Sequence, residues 1–371
     1  MRICLIADGS SIHTERWANY FAQAGHDVHL ISNRFADSLD ATIKKHRLIT
    51  NCGLLGWNRF TKYPLHALWI PQAYRMIRQI KPDIVVARYI TVYGYLGVVS
   101  GFHPLVLTAS GSDILITPKR SFIHRILTRT TLSRADRIVC DSQFVKKEIM
   151  QLMQLRAVPH KIAIIYPGVD TQRFSPERRS NGRRDSLAIR SAPTIISIRN
   201  LEPLYNVATV IRAVPLVLAK VPEAQFIIAG DGSQGTSLRE LANSLGVSGS
   251  VRFVGRRPHH EIPEFLLSSD VYVSPSLSDS ASVSLQEAMA CELPVVVSDI
   301  PGNREWVKNG VNGYLVPAED VASMAQTMVA LLTSPEQRAK LGREGRQKIV
   351  AEAEYVSNMQ KAERLYLELV R

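Results

Sequence analysis

VYVSPSLSDSASVSLQEAMACELPVVVSDIPG, residues 271–302, spells strand, loop, helix and strand in succession. The short β-branched run VYVSPS predicts a buried parallel strand. The polar loop SLSDSAS follows, with Ser282 as the candidate N-cap of a helix. Val283, Leu285, Ala288, Met289 and Ala290 give that helix one packed face. Glu292-Leu293-Pro294 stops it, and VVVS opens the next buried strand. Two carboxylates bracket the turn, Asp279 in the loop and Glu287 eight positions on. Loop amides and a helix N-terminus between them suit an anion. A carboxylate on the second helical turn can accept two hydrogen bonds from a vicinal diol such as a ribose.

Outward from this stretch the same alternation repeats. Upstream lie TIISIRN (194–200), QFIIAG (225–230) and VRFVG (251–255), each strand followed by a helical pattern. Downstream, residues 319–333, 335–350 and 354–370 read as helices. Residues 176–193, rich in Pro, Ser, Gly and Arg, read as a linker. The first half opens with ICLIAD (3–8), a helix over 14–24 and DVHLIS (27–32). It continues with strands at 83–89, 104–110 and 135–142. Strands alternating with helices predict an α/β chain of two doubly wound parallel sheets. The turn DGSSIHT lacks G-x-G-x-x-G, which disfavours a dinucleotide site. Residues 33–65 read as an irregular basic loop carrying Trp57, Phe60 and Tyr63.

The 371 residues carry a formal net charge of +12. Residues 1–180 hold 25 Lys/Arg and 12 Asp/Glu, a balance of +13, and the remainder holds 20 and 21, a balance of −1. The excess sits in the first half, as a solvated basic face or as an attraction to an anionic partner such as lipid headgroups. Nucleic acid is the less favoured partner for the basic half. No apolar run is long enough to span a bilayer. The start lacks signal-peptide layout. Four scattered cysteines (Cys4, Cys52, Cys140, Cys291) without a Cys-x-x-Cys pair point to a reducing cytosol and away from a metal site.

The acidic pair and its flanks resemble the retaining nucleotide-sugar glycosyltransferases of family 4, whose fold is GT-B. Their pattern is Glu, seven residues, Glu, Ala-Met-Ala and a Gly-Leu-Pro-like turn; this chain gives Asp279, seven residues, Glu287, Ala288-Met289-Ala290 and Leu293-Pro294, with Asp in place of the first Glu and Glu292 in place of the Gly. Gly168-Val169-Asp170 with Phe174, Gly230-Asp231-Gly232, and Phe253 with Gly255 also match. The resemblance implies two Rossmann-like domains facing across a cleft: an acceptor-side domain 1–175, with helix 354–371 packing back on it, linker 176–193 and a nucleotide-sugar-binding domain 194–353. It implies transfer of a sugar, UDP-linked by preference, to a glycan or lipid-linked acceptor, with retention and without a metal or other cofactor. The expected setting is cytoplasmic, and the basic first half with no membrane span suggests peripheral contact at the inner face of the membrane.

By the same resemblance, Arg199, Tyr205, Gly230, Gly255, Ser282, Val283, Ser284 and Glu287 bind the donor. Asp279, Arg199, Asp113 and His13 belong to the catalytic set. Two departures stand out: Tyr205 replaces the Lys that pairs with Arg199 on the diphosphate, and Ser110 replaces a sugar-contacting His. A GT-B epimerase and a nucleotide-sugar-binding pseudo-enzyme are the rival expectations. A dehydrogenase is disfavoured by the missing glycine fingerprint.

Overall fold

The computed structural model describes residues 1–49, 68–154, 159–179, 187 and 192–371. Two compact units divide the chain: Met1–Pro167 with Asn358–Arg371, and Gly168–Ser357.

In the first unit the order is β1 (Arg2–Ile6), α1 (Ile12–Gln23), β2 (Asp27–Ser32), β3 (Lys44–Arg47), α2 (Trp69–Ile80), β4 (Ile84–Arg88), α3 (Tyr95–Val99), β5 (Leu105–Ala109), α4 (Ser112–Leu115), α5 (Phe122–Ser133), β6 (Arg137–Cys140), α6 (Gln143–Met153) and β7 (Ile162–Ile164). These seven strands form a parallel sheet in the order β3-β2-β1-β4-β5-β6-β7. The central strands RICLI, IVVAR and LVLTA are buried almost throughout, because helices cover both faces of such a sheet. The strand β3, KKHR, lies inside the stretch expected to be irregular. It is an exposed edge strand of charged residues, so neither apolar alternation nor β-branching announces it. Trp57, Phe60, Tyr63 and Cys52 lie outside the described residues.

In the second unit follow β8 (Thr194–Ile198), α7 (Val207–Leu218), β9 (Gln225–Ala229), α8 (Gly235–Ser244), β10 (Val251–Gly255), α9 (Ile262–Leu267), β11 (Val271–Ser274), α10 (Val283–Ala290), β12 (Val295–Ser298), α11 (Pro301–Trp306), β13 (Tyr314–Val316), α12 (Val321–Thr333) and α13 (Pro335–Glu352). Its sheet is also parallel, ordered β10-β9-β8-β11-β12-β13. The core is a Val-, Ile- and Met-rich cluster on α7, α12 and the central strands.

The division falls at Pro167–Gly168, ahead of the 176–193 segment expected as linker. The reason is local. Val169 N–H donates to the Ala353 carbonyl, and Tyr355 N–H donates to the Val169 carbonyl. The Arg346 guanidinium then donates to the carbonyls of Thr171, Phe174 and Ala290. These bonds fasten 168–175 to the second unit. The final helix, α14 (Tyr355–Val370), starts in that unit and continues, from Asn358, in the first, where Trp17 Nε1 donates to Tyr366 Oη at 3.2 Å.

Both sheets reverse their winding at one place, between β1 and β4 and between β8 and β11. In open α/β sheets, ligands bind beyond the carboxyl ends of the strands at such a point.

Candidate active site

Arg199 is the first residue beyond β8, so the switch point of the second sheet places it. Its backbone N–H donates to the Ala229 carbonyl, which fixes where the side chain leaves the sheet. The side chain is almost wholly buried. One terminal nitrogen donates to Ser282 Oγ at 2.7 Å and Ser284 Oγ at 3.0 Å, and the other to Asp279 Oδ2 at 2.6 Å. The guanidinium also lies over the Tyr205 ring, 4.2 Å from its centroid. Its Nε has no hydrogen-bond partner among the described residues. Burial by itself works to lower the Arg199 pKa; the Asp279 carboxylate, aided by Tyr272 and Tyr205, outweighs it, and the pKa is raised. The group is a fixed cation.

Ser282 stands at the N-cap position of α10, as expected, but its side chain makes no capping bond. Its hydroxyl accepts from Arg199 instead. A charged donor at 2.7 Å outcompetes a backbone amide for that oxygen. The first intrahelical bond is Gln286 N–H to the Ser282 carbonyl, so the amides of Val283, Ser284 and Leu285 have no intrahelical acceptor. Beneath the arginine, Tyr272 on β11 shares a hydrogen bond with Ser284 Oγ at 2.8 Å. Nothing in its apolar strand context marked Tyr272 as part of the site.

The loop after β11 is held from two sides. Leu277 N–H donates to the Leu204 carbonyl, joining it to the loop after β8. Gly302 supports it from below: a Cβ there would come within 2.3 Å of the Asp279 carbonyl oxygen and 2.7 Å of the Ser280 one. Asp279 turns its other oxygen, Oδ1, to the Ser280 amide at 3.0 Å.

Glu287 is buried on the second turn of α10. Its Oε1 meets His259 Nε2 at 2.6 Å, and the His259 ring tilts against Phe174 with centroids 5.5 Å apart. His259 escaped the sequence reading, since RRPHHE has the composition of a plain polar loop. Asn206 adopts φ 48° and ψ 37°, a left-handed conformation that Asn tolerates better than most residues. Gly230 is constrained by packing: a Cβ there would meet the Arg199 carbonyl oxygen at 2.0 Å. Gly255, at φ +71°, ends β10 with open space around it.

The remaining two candidates lie in the first unit. Asp113 is fully buried. Its Oδ2 accepts from Ile90 N–H at 2.8 Å and its Oδ1 from Ser110 N–H at 3.0 Å, so it ties the ends of β4 and β5 together. Burial pushes its carboxyl up to about 6 against the pull of those amides. Beside it, Tyr89 sits at φ 76°, ψ 100°, strained for an aromatic residue, and opens a π-helical turn over Ile90–Gly94. Its hydroxyl meets Ser112 Oγ at 3.3 Å. His13 is exposed on the first turn of α1.

Two doubly wound units, the second with a fixed arginine and a helix N-terminus at its switch point, define the GT-B class of fold. Residues 179–348 match the family of glycosyl transferases group 1, and residues 2–142 match the glycosyl transferase 4-like family. Together these matches take in well over half of the chain, which belongs to this group of glycosyltransferases. A D-inositol 3-phosphate glycosyltransferase of Thermobispora bispora is 28% identical over 216 residues, 56% of this chain and 50% of that protein. A GDP-mannose-dependent alpha-(1-6)-phosphatidylinositol monomannoside mannosyltransferase of Mycolicibacterium smegmatis is 31% identical over 188 residues, 48% of this chain and 49% of that protein. The chain thus spans about half the length of the curated relatives it matches. HepE of Anabaena, crystallised with UDP and glucose, superposes with a TM-score of 0.82 over 100% of both chains at 18% identity, a likeness of fold.

Proposed function

We propose that this chain transfers a sugar from a nucleoside-diphosphate donor, a UDP-sugar by preference, to a glycan or lipid-linked acceptor, with retention at the anomeric carbon. The observation that carries this reading is Arg199, held by Ser282 and Ser284 at the N-terminus of α10. Charge develops on the diphosphate as it leaves, and a preorganised cation beside free helix amides stabilises that charge. Such a fixed charge does the work of a metal ion, so the proposed reaction is metal-independent. Glu287 accepts from the ribose hydroxyls, and Asp279 from the donor sugar. The bond from the anomeric carbon to the phosphate oxygen breaks. The acceptor oxygen bonds to the same face of that carbon. Its proton passes to the departing phosphate, and a nucleoside diphosphate leaves.

One observation favours a second reading, a binding protein without turnover. Asp279 offsets the charge of Arg199, and Tyr205 supplies an aromatic face where the family pattern has a second cation.

The test is calorimetric titration with UDP, GDP, ADP and their sugar conjugates, followed by product analysis with and without acceptor. One nucleotide binds, and Glu287→Ala weakens it by about 2–3 kcal/mol, the worth of a charge-assisted contact. Binding without transfer or donor hydrolysis selects the second reading. Conversion of the donor without any acceptor selects an epimerase. No binding to any nucleotide overturns the proposal.

A further inference from the structure

The helix α5, Phe122–Ser133, is packed with its polarity reversed. Its buried side chains are Thr128, Thr131 and Leu132. Phe122 is 76% exposed, Ile123 68%, Ile126 46% and Leu127 47%. These four recur at i and i+4 along one face of the helix. A helix of a water-soluble domain turns its apolar stripe inward. Here threonines occupy that side, and they satisfy their hydroxyls within the helix: Thr128 donates to the His124 carbonyl at 2.8 Å and Thr131 to the Leu127 carbonyl at 2.9 Å. With its polar groups satisfied locally, the helix can lie against the unit by its threonine side and leave Phe, Ile, Ile and Leu outward.

The surroundings of that face are cationic. Residues 114–135 contain no Asp or Glu. Lys119, Arg120, Arg125, Arg129 and Arg134 are exposed. Lys119 reaches Glu148 at 3.5 Å, and the four arginines have no carboxylate partner among the described residues. A second copy of the chain is a poor cover for this face. A two-fold interface sets the same patch against itself and would bring the arginines together. A surface that is apolar within and anionic at its border complements it, and a bilayer bearing anionic headgroups has that layering.

We propose that α5 docks the first unit on anionic lipid, with Phe122, Ile123, Ile126 and Leu127 entering the acyl boundary and the arginines meeting the headgroups. The helix lies in the plane of the membrane. No described helix is long and apolar enough to cross one. The proposal stands apart from the sugar-transfer reading, since α5 carries none of the residues assigned to the donor.

The test is sedimentation of the full chain with vesicles of phosphatidylcholine and phosphatidylglycerol at 3:1, and with phosphatidylcholine alone. The wild type pellets with the anionic vesicles, and much less with the neutral ones. Phe122→Ser with Ile126→Ser reduces the bound fraction at least fivefold. Arg125→Gln with Arg129→Gln reduces it and flattens its dependence on salt. All four side chains changed in these pairs are surface groups, and unchanged thermal melting shows that the variants are folded. A Phe122→Trp chain adds fluorescence that brominated lipid quenches beyond the wild-type signal. Three results overturn the proposal: no pelleting above the vesicle-free control, equal pelleting of the Phe122→Ser, Ile126→Ser chain, or a wild-type dimer in light scattering that this chain loses, which would assign the face to a second copy.

Discussion

Arg199 and Asp279 face each other at 2.6 Å across the mouth of α10, and each sets what the other can do. The carboxylate holds the guanidinium in place and offsets its charge toward any incoming diphosphate. Asp279→Asn therefore has opposite effects on binding and turnover. Nucleoside diphosphate affinity rises about tenfold, because a like-charged neighbour of the phosphate is gone. Transfer falls about a hundredfold, because the donor sugar loses its acceptor group. Calorimetry and initial rates on one preparation measure both. A parallel loss of affinity and rate would remove Asp279 from the sugar side of the site. The reverse change, Arg199→Ala, leaves a partly buried carboxylate unpaired and costs about 3–5 kcal/mol of stability in the second unit.

Tyr205 holds the position of the second cation and places its ring 4.2 Å from the Arg199 guanidinium. Tyr205→Lys exchanges a cation–π contact for a positive charge. The contact is worth about 0.5–2 kcal/mol, so a small stability loss accompanies the change. Diphosphate affinity increases about tenfold and becomes more sensitive to salt. Titrations at two ionic strengths check this. An unchanged affinity would mean that the site meets the phosphates through α10 amides and Arg199 alone.

Gly302 links a position far along the sequence to the acidic loop. With a Cβ 2.3 Å from the Asp279 carbonyl oxygen, Gly302→Ala forces backbone to move. Asp279 shifts away from Arg199, and nucleotide binding weakens at least tenfold while the unit stays folded. Circular dichroism and calorimetry together separate this outcome from simple unfolding.

Much of this arrangement is legible in the sequence, for a physical reason. Central parallel strands are buried on both faces, so ICLIAD, TIISIRN and VVVS announce themselves by β-branched apolar runs. Arg199, Asp279 and Glu287 are singled out by the family resemblance, and the structure brings Arg199 and Asp279 into contact at 2.6 Å. What is hidden depends on tertiary partners. The strand β3 is charged and draws its structure from β2 alone. Tyr89 at φ 76° runs against the preference of an aromatic residue, and only the packing of its neighbours imposes it. The Ser282 hydroxyl, read from sequence as a helix cap, is taken by an arginine 83 residues away.

Asp113 gives the first unit a pH dependence with a definite sign. Its carboxyl stands at about 6 in the folded chain, against 3.8 ordinarily. The folded state therefore holds this proton more tightly than the unfolded one. Its contribution is fully present below pH ~4 and is lost as pH rises to ~6, a change of about 3 kcal/mol at 1.36 kcal/mol per unit. Asp113→Asn removes that slope, whatever offset it adds by placing an amide against Ser110 or Ile90 N–H. Urea unfolding of both chains between pH 4 and 7 measures the difference. Parallel pH profiles would show that Asp113 titrates alike in both states.

His259 and Glu287 offer the sharpest test of how the site reads a donor. Their 2.6 Å contact occupies one carboxylate oxygen and leaves the other without a partner among the described residues. A carboxylate held in this way has a fixed direction, which a bidentate grip on a ribose diol requires. His259→Phe keeps the ring against Phe174 but removes the hydrogen bond. His259→Gln keeps a donor with less packing. The comparison ligand is the 2′-deoxy form of the bound nucleotide, which lacks one of the two hydroxyls. The wild type prefers the ribose form by about tenfold, the worth of one hydrogen bond to a charged group. His259→Phe shrinks that preference to about twofold, and His259→Gln retains most of it. Because each chain is compared between two ligands, losses of stability or packing cancel. An equal preference in all three chains would place the ribose away from Glu287, and its burial on α10 would then be explained by the pair with His259 alone.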